Sequence, residues 1–96
     1  AEHPVVRTHP VTDRKALYVN RGFTRFIVGI PRDESDAMLA YLYQHAENPL
    51  FQCRFRWTEN AVAFWDNRCV QHRAMWDYWP DTRSGTRVTV KGERPV

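Results

Sequence analysis

The stretch WDNRCVQHRAMWDYWPDTRSGTRVTV, residues 65–90, decides how the rest of the chain is read. It contains one histidine, His72, with Arg83 and Arg87 eleven and fifteen positions further on. A single imidazole cannot hold a metal ion, so any metal here needs further ligands from elsewhere. Two arginines call for two anions. A final strand is predicted over about Thr86–Lys91, with residues 83, 85 and 87 on one face and Gly85 leaving a gap between the arginines. On a regular strand Arg83 and Arg87 start about 13 Å apart, a layout suited to two anions around a cavity, each gripped by a planar fork.

Outward from this stretch the pattern is mainly β. FQCRFRW alternates: Phe51, Cys53, Phe55 and Trp57 face one way, and Gln52, Arg54 and Arg56 the other. TEN is a turn, and AVAFW is the next strand, apolar enough to be buried. Further upstream, Pro31 opens a predicted helix over Arg32–Ala46. Asp33 and Glu34 lie in its first turn, where carboxylates complement the helix dipole. Met38, Leu39, Leu42 and Ala46 form its apolar stripe, and Asn48-Pro49 stops it. Val5–Thr8 and Lys15–Asn20 are β-prone runs around a Pro- and Asp-containing turn, and so form a hairpin. His9, held extended by Pro10, is expected to be a loop histidine.

Ninety-six residues allow one domain at most. Four Trp, five Phe and four Tyr are more apolar bulk than so short a chain hides easily, so an aromatic partner surface is expected. The net charge of +3 permits anion binding but does not make a basic arm. Arg54 and Arg56 between aromatics are explained by a solvated strand face, and no nucleic acid is expected as a partner. Cys53 and Cys69 have no zinc spacing and are expected to be buried thiols of a cytoplasmic protein. No apolar run reaches the roughly 18 residues of a membrane span. The opening AEHPVVRTHP has no initiator Met and begins in a strand-like run, so a processed piece or fragment is expected.

WDNR, a histidine seven residues after its Trp, and arginines at plus eleven and plus fifteen together resemble the C-terminal part of the taurine dioxygenase (TauD/TfdA) family of Fe(II)- and 2-oxoglutarate-dependent oxygenases. HPVVRTHP, ALYVNRGFT and FQCRFRW resemble the same family in the same order, so the resemblance spans the chain. It implies a mainly β fold with one helix, the C-terminal part of a double-stranded β-helix (a cupin-like jelly roll). Residues 1–96 are then a single partial domain. The cofactors implied are Fe(II), 2-oxoglutarate as cosubstrate, and O2. By the same resemblance His72 is an iron ligand, Arg83 pairs with the far carboxylate of 2-oxoglutarate, Arg87 meets an anionic substrate, Phe23 lines the substrate pocket and Trp65 lies beside the iron.

The reaction implied is hydroxylation of a small anion such as taurine or another sulfonate, with release of sulfite. The departure from the family pattern is the H-x-D or H-x-E arm that supplies the other two ligands, expected in a missing N-terminal half of a homo-oligomeric enzyme. The only H-x-E here, His45-Ala46-Glu47, ends the predicted helix, where residues two apart point to different sides. Asp66, within WDNR, is left out of the iron site. The 96 residues alone are expected to be inactive. The alternative from another class is a non-catalytic small β module that binds anions or a partner protein.

Overall fold

Two strands and one helix carry the regular structure, all within residues 1–51 of the 96 that the computed structural model describes. Strands β1 (Val6–Thr8) and β2 (Lys15–Leu17) pair antiparallel, with Val6 opposite Leu17 and Thr8 opposite Lys15. The connecting loop is closed by His9, whose amide donates to Arg14 O at 2.9 Å while its carbonyl accepts from Asp13 N at 2.9 Å. Asp13 takes the left-handed conformation there (φ 55°), which a short polar side chain tolerates. The hairpin is where the β-prone runs and turn residues predict it, with β2 ending at Leu17 rather than Asn20.

Helix α1 (Arg32–Ala46) has the predicted bounds. Pro31 precedes it, Asp33 and Glu34 occupy its first turn, and a 3-10 turn over Pro49–Phe51 follows Asn48. Its packing is thinner than its apolar stripe suggests. Leu39 is buried, Leu42 and Ala46 are half-buried, and Met38 is half exposed. What ties α1 to the chain before it is polar. The fully buried Ser35 hydroxyl accepts from Ile27 N at 2.7 Å, and the Tyr43 hydroxyl donates to Thr24 O at 3.3 Å.

The remaining strands predicted from sequence do not form. No residue from Gln52 to Val96 lies in a strand or helix, so FQCRFRW (51–57), whose Phe51 ends the 3-10 turn, AVAFW (61–65) and Thr86–Lys91 are corrected from strands to irregular chain. The shared strand face proposed for Arg83, Gly85 and Arg87 goes with them. The reason is physical: alternation specifies which side chains share a face, but a strand exists only when a second segment completes its hydrogen-bond ladder. These segments find no ladder within the 96 residues.

Surface and size agree with that. The chain exposes 9219 Å², where a compact monomer of 11.4 kDa exposes about 5,800 Å². Its radius of gyration is 16.0 Å, against about 12.5 Å for a compact domain of this length. Cys53 and Cys69 are both exposed, correcting the expectation of buried thiols: the surfaces that would cover them are not in these residues. One helix and a two-stranded antiparallel sheet are therefore what the chain builds, consistent with part of a mainly β domain.

Candidate active site

The most ordered part of the C-terminal half is the loop that follows Trp65. Asp66 closes it twice over. Its carbonyl accepts from Cys69 N at 3.2 Å and Val70 N at 2.9 Å, and its Oδ1 accepts from Arg68 N at 2.9 Å. An Asp bonding to the backbone two residues on is the turn-forming habit of that side chain. The reversal brings Trp65 and His72 together, their ring centroids 4.6 Å apart and the planes tilted by 46°. The Trp65 indole N–H donates to Asn67 Oδ1 at 2.9 Å, fixing that ring from the other side. His72 itself is exposed and makes no hydrogen bond within the chain.

Beneath the loop lies a charged cluster that sequence reasoning missed. The Arg68 guanidinium straddles Asp66, with Nε 2.9 Å from Oδ1 and Nη2 2.7 Å from Oδ2. The buried His9 meets Asp66 Oδ2 through Nε2 at 3.2 Å. His9 Nδ1 accepts from Val11 N and Thr12 N, each at 3.3 Å, so the proton sits on Nε2 and points at the carboxylate. Arg68 and its backbone amide, then His9, hold the Asp66 carboxyl far below the usual aspartate range. On the other side, Arg7 Nη2 donates to Glu93 Oε1 at 2.9 Å and its guanidinium lies over the Tyr18 ring, 5.0 Å from the centroid. Arg68 also approaches Glu93 at 3.8 Å. Glu93 is held below its ordinary value, chiefly by hydrogen bonding to backbone and then by Arg7 and Arg68.

His9, Asp66 and Cys69 present three ligand atoms within 4.8 Å of one another, a spacing that could suit a metal. The chemistry runs against it. The His9 nitrogen facing the group carries its proton, and both Asp66 oxygens are engaged by a cation. This cluster is a latch between the hairpin and the loop. The signal available in sequence was the D-x-R of WDNR, where Arg follows Asp at the spacing of a side-chain and backbone clasp; the partner His9, 57 residues away, had none.

Arg83 lies over the Trp57 ring, 5.7 Å from its centroid. Arg87 is exposed and joins no ion pair. Phe23 is 86% exposed at the tip of a turn closed by Thr24 N to Asn20 O at 2.8 Å and Gly22 N to Asn20 Oδ1 at 2.8 Å. Asn20 links that turn to the His72 segment by donating to Gln71 Oε1 at 3.4 Å, and Gln71 Nε2 donates to Val19 O at 2.6 Å. The structure therefore pairs His72 with Trp65 and ties the Phe23 turn to the neighbouring Gln71, while Arg83 meets Trp57. The only H-x-E is no ligand pair: His45 packs on the Phe51 ring, while Glu47 is ion-paired with Arg21 at 2.9 Å, which lowers the Glu47 carboxyl.

A lone exposed imidazole with both nitrogens uncommitted can offer one donor to a metal ion and no more. The sequence matches the family of the taurine catabolism dioxygenase TauD and TfdA over residues 1–89. The chain belongs to the TauD/TfdA family. Among its relatives in this family is a Schizosaccharomyces pombe protein provisionally named alpha-ketoglutarate-dependent sulfonate dioxygenase. It is 58% identical over 95 residues, covering 97% of this chain and 24% of the relative. The Saccharomyces cerevisiae alpha-ketoglutarate-dependent sulfonate dioxygenase is 47% identical, covering 98% of this chain and 23% of its own length. The Pseudomonas putida alpha-ketoglutarate-dependent sulfate ester dioxygenase is 41% identical, with 99% and 31% covered. The chain thus spans between 23% and 31% of the length of these family members.

Proposed function

We propose that these residues are the part of an Fe(II)- and 2-oxoglutarate-dependent dioxygenase that supplies one iron ligand and two anion-binding arginines. Its substrate class is a small sulfonate or sulfate ester, by analogy with what the relatives' names state. The observation carrying the proposal is the His72 imidazole, exposed, uncommitted and backed by the Trp65 ring at the mouth of a tightly closed loop. In the whole protein an upstream H-x-D or H-x-E segment completes the ligand set, and the same segment belongs to the strands that would turn residues 51–57, 61–65 and 86–91 into jelly-roll sheet. Bound there, iron supplies oxygen activation coupled to decarboxylation of 2-oxoglutarate to succinate.

The work of this chain's own residues is binding and shielding. His72 offers one nitrogen, and Trp65 limits where that ring can turn. Arg83 grips the far carboxylate of 2-oxoglutarate with a planar fork, and the Trp57 face keeps its guanidinium from collapsing into solvent. Arg87 meets the anionic group of the substrate, and Phe23 closes the pocket on its apolar side. With a sulfonate, hydroxylation of the carbon next to sulfur leads to loss of sulfite and an aldehyde.

Steady-state kinetics on the full-length protein test the assignment. His72→Ala should reduce succinate formation to background while the melting temperature stays near wild type. Arg83→Ala should raise KM for 2-oxoglutarate, and Arg87→Ala should raise KM for the sulfonate, each by about 30-fold or more. Lys at either position keeps charge but loses the fork and should restore only part of the loss. Succinate production by His72→Ala at the wild-type rate, or equal effects of both arginine variants on both substrates, would sink it.

A further inference from the structure

A metal ligand functions only when held to within about half an ångström of its place, yet His72 sits on irregular, exposed chain. The turn at Asp66–Val70 is internally closed, but a closed turn standing in solvent can still swing as a unit. Two direct bridges to the hairpin unit hold it, beside the 3.8 Å approach of Arg68 to Glu93, which Arg7 of β1 also holds. His9 meets Asp66 at the start of the turn, and Gln71, the residue before His72, donates to Val19 O at 2.6 Å. Both bridges end on the hairpin unit: His9 follows β1 directly, and Val19, itself buried, lies just past β2. Attachment at two points removes the rotation that one would leave. The His9 ring is in turn aimed by the Val11 and Thr12 amides, which hold Nδ1 and leave the Nε2 proton directed at Asp66.

We infer that His9 and Gln71 are positioning residues for the metal ligand His72, acting through the Asp66 turn. This rests on the reading of His72 given above. Neither residue touches metal or substrate. The latch transmits the rigidity of the hairpin across more than fifty residues of sequence to a segment that lies in no strand or helix. A purely structural alternative is that His9 only stabilises the loop between β1 and β2. The two ring nitrogens separate these roles. Asn at position 9 places its oxygen near where Nδ1 lies, so it serves the loop amides but falls short of Asp66. Gln reaches the place of Nε2 and can donate to Asp66, leaving the amides of the exposed Val11 and Thr12 to water.

The test is equilibrium binding of Mn(II), a probe taking the same nitrogen and oxygen ligands, to the full-length protein without oxygen, with free Mn(II) read from its paramagnetic resonance. His72→Ala should abolish tight uptake. His9→Asn should raise Kd about tenfold, the low end of what partners behind a metal ligand cost. His9→Gln should bind more tightly than His9→Asn even if it melts at a lower temperature. Gln71→Met, at an exposed position, should weaken binding with little change in melting temperature. Wild-type Kd values in both His9→Asn and Gln71→Met overturn the inference, as does Asn binding more tightly than Gln. Should His9→Asn fail to fold, an unchanged Kd for Gln71→Met overturns it alone. If His72→Ala itself leaves Mn(II) affinity intact, the ligand assignment fails and takes the inference with it. If only the position 9 and 71 variants bind normally, the assignment stands and the inference falls.

Discussion

Residues 1–51 and residues 52–96 have similar length and similar apolar content, yet only the first set folds on itself. The difference lies in how far each segment must look for a partner. The helix satisfies its backbone within four residues, and the hairpin closes across a loop of six. The second set carries alternating runs that could pair only with another segment's ladder, and it forms no strand. Its fixed points on the first half are the side-chain bonds of Asp66 to His9, Gln71 to Val19 and Glu93 to Arg7, with one backbone bond, from Thr8 N to Val96 O at 2.8 Å. Local structure is self-sufficient; sheet structure is a relation.

The largest expected effect concerns backbone protection. In dilute 96-residue chain, hydrogen exchange should show the amides in the last two turns of α1 protected by orders of magnitude over those at 52–57 and 86–91, where no ladder exists. Comparable protection in both regions would break the contrast. A smaller effect follows from packing. Leu39→Ala, in the buried spot under α1, should destabilise by about 2–3 kcal/mol in urea melts. Val88→Ala removes two carbons, one fewer than Leu39→Ala, at an 89% exposed position and should stay within about 0.5 kcal/mol. Equal costs would mean that Val88 is covered.

The smallest effect is on pH. Asp66 is lowered by Arg68 and His9, and Glu93 by backbone bonding, Arg7 and Arg68. A carboxyl lowered in the folded chain stabilises it fully above the unfolded value, near 4, and loses that contribution as pH falls toward the folded value. Acid should therefore loosen the attachment of the second half before the helix melts. Nuclear magnetic resonance shifts of Gln71 and His72 should move between about pH 4 and 2 while helical circular dichroism stays level. Simultaneous loss of both would merge the two regions into one unit.

The boundaries of α1 were legible because Pro31, the acidic first turn and Asn48-Pro49 all act within a few residues of where they sit. The hairpin was legible for the same reason. Alternation in FQCRFRW announced a face correctly as a pattern and said nothing about a partner, which is why three predicted strands are irregular here. The site residues came through likeness of motif. His72 and Trp65 do meet, because the loop between them is a local reversal; Arg83 and Arg87 share no strand face, because no strand forms there. His9 was the clearest miss. Its neighbour Pro10 argues for an extended loop, and nothing near it in sequence announces a carboxylate 57 residues on. Ser35, in the run Asp33-Glu34-Ser35-Asp36, looks like solvent-facing helix and is buried because it accepts from Ile27 N.

The uncovered surface has a thermal consequence. The heat capacity released on forming a protein follows the apolar area removed from water. A chain exposing 9219 Å², well over the area of its compact equivalents, keeps back a large part of that release. Whatever segment covers Phe55, Phe64, Trp76 and Trp79 should therefore do so with a large negative heat-capacity change, so that the enthalpy of joining steepens with temperature. The ledger of folding is then split in two, one part entered when the hairpin and helix form and the rest only when those rings are covered.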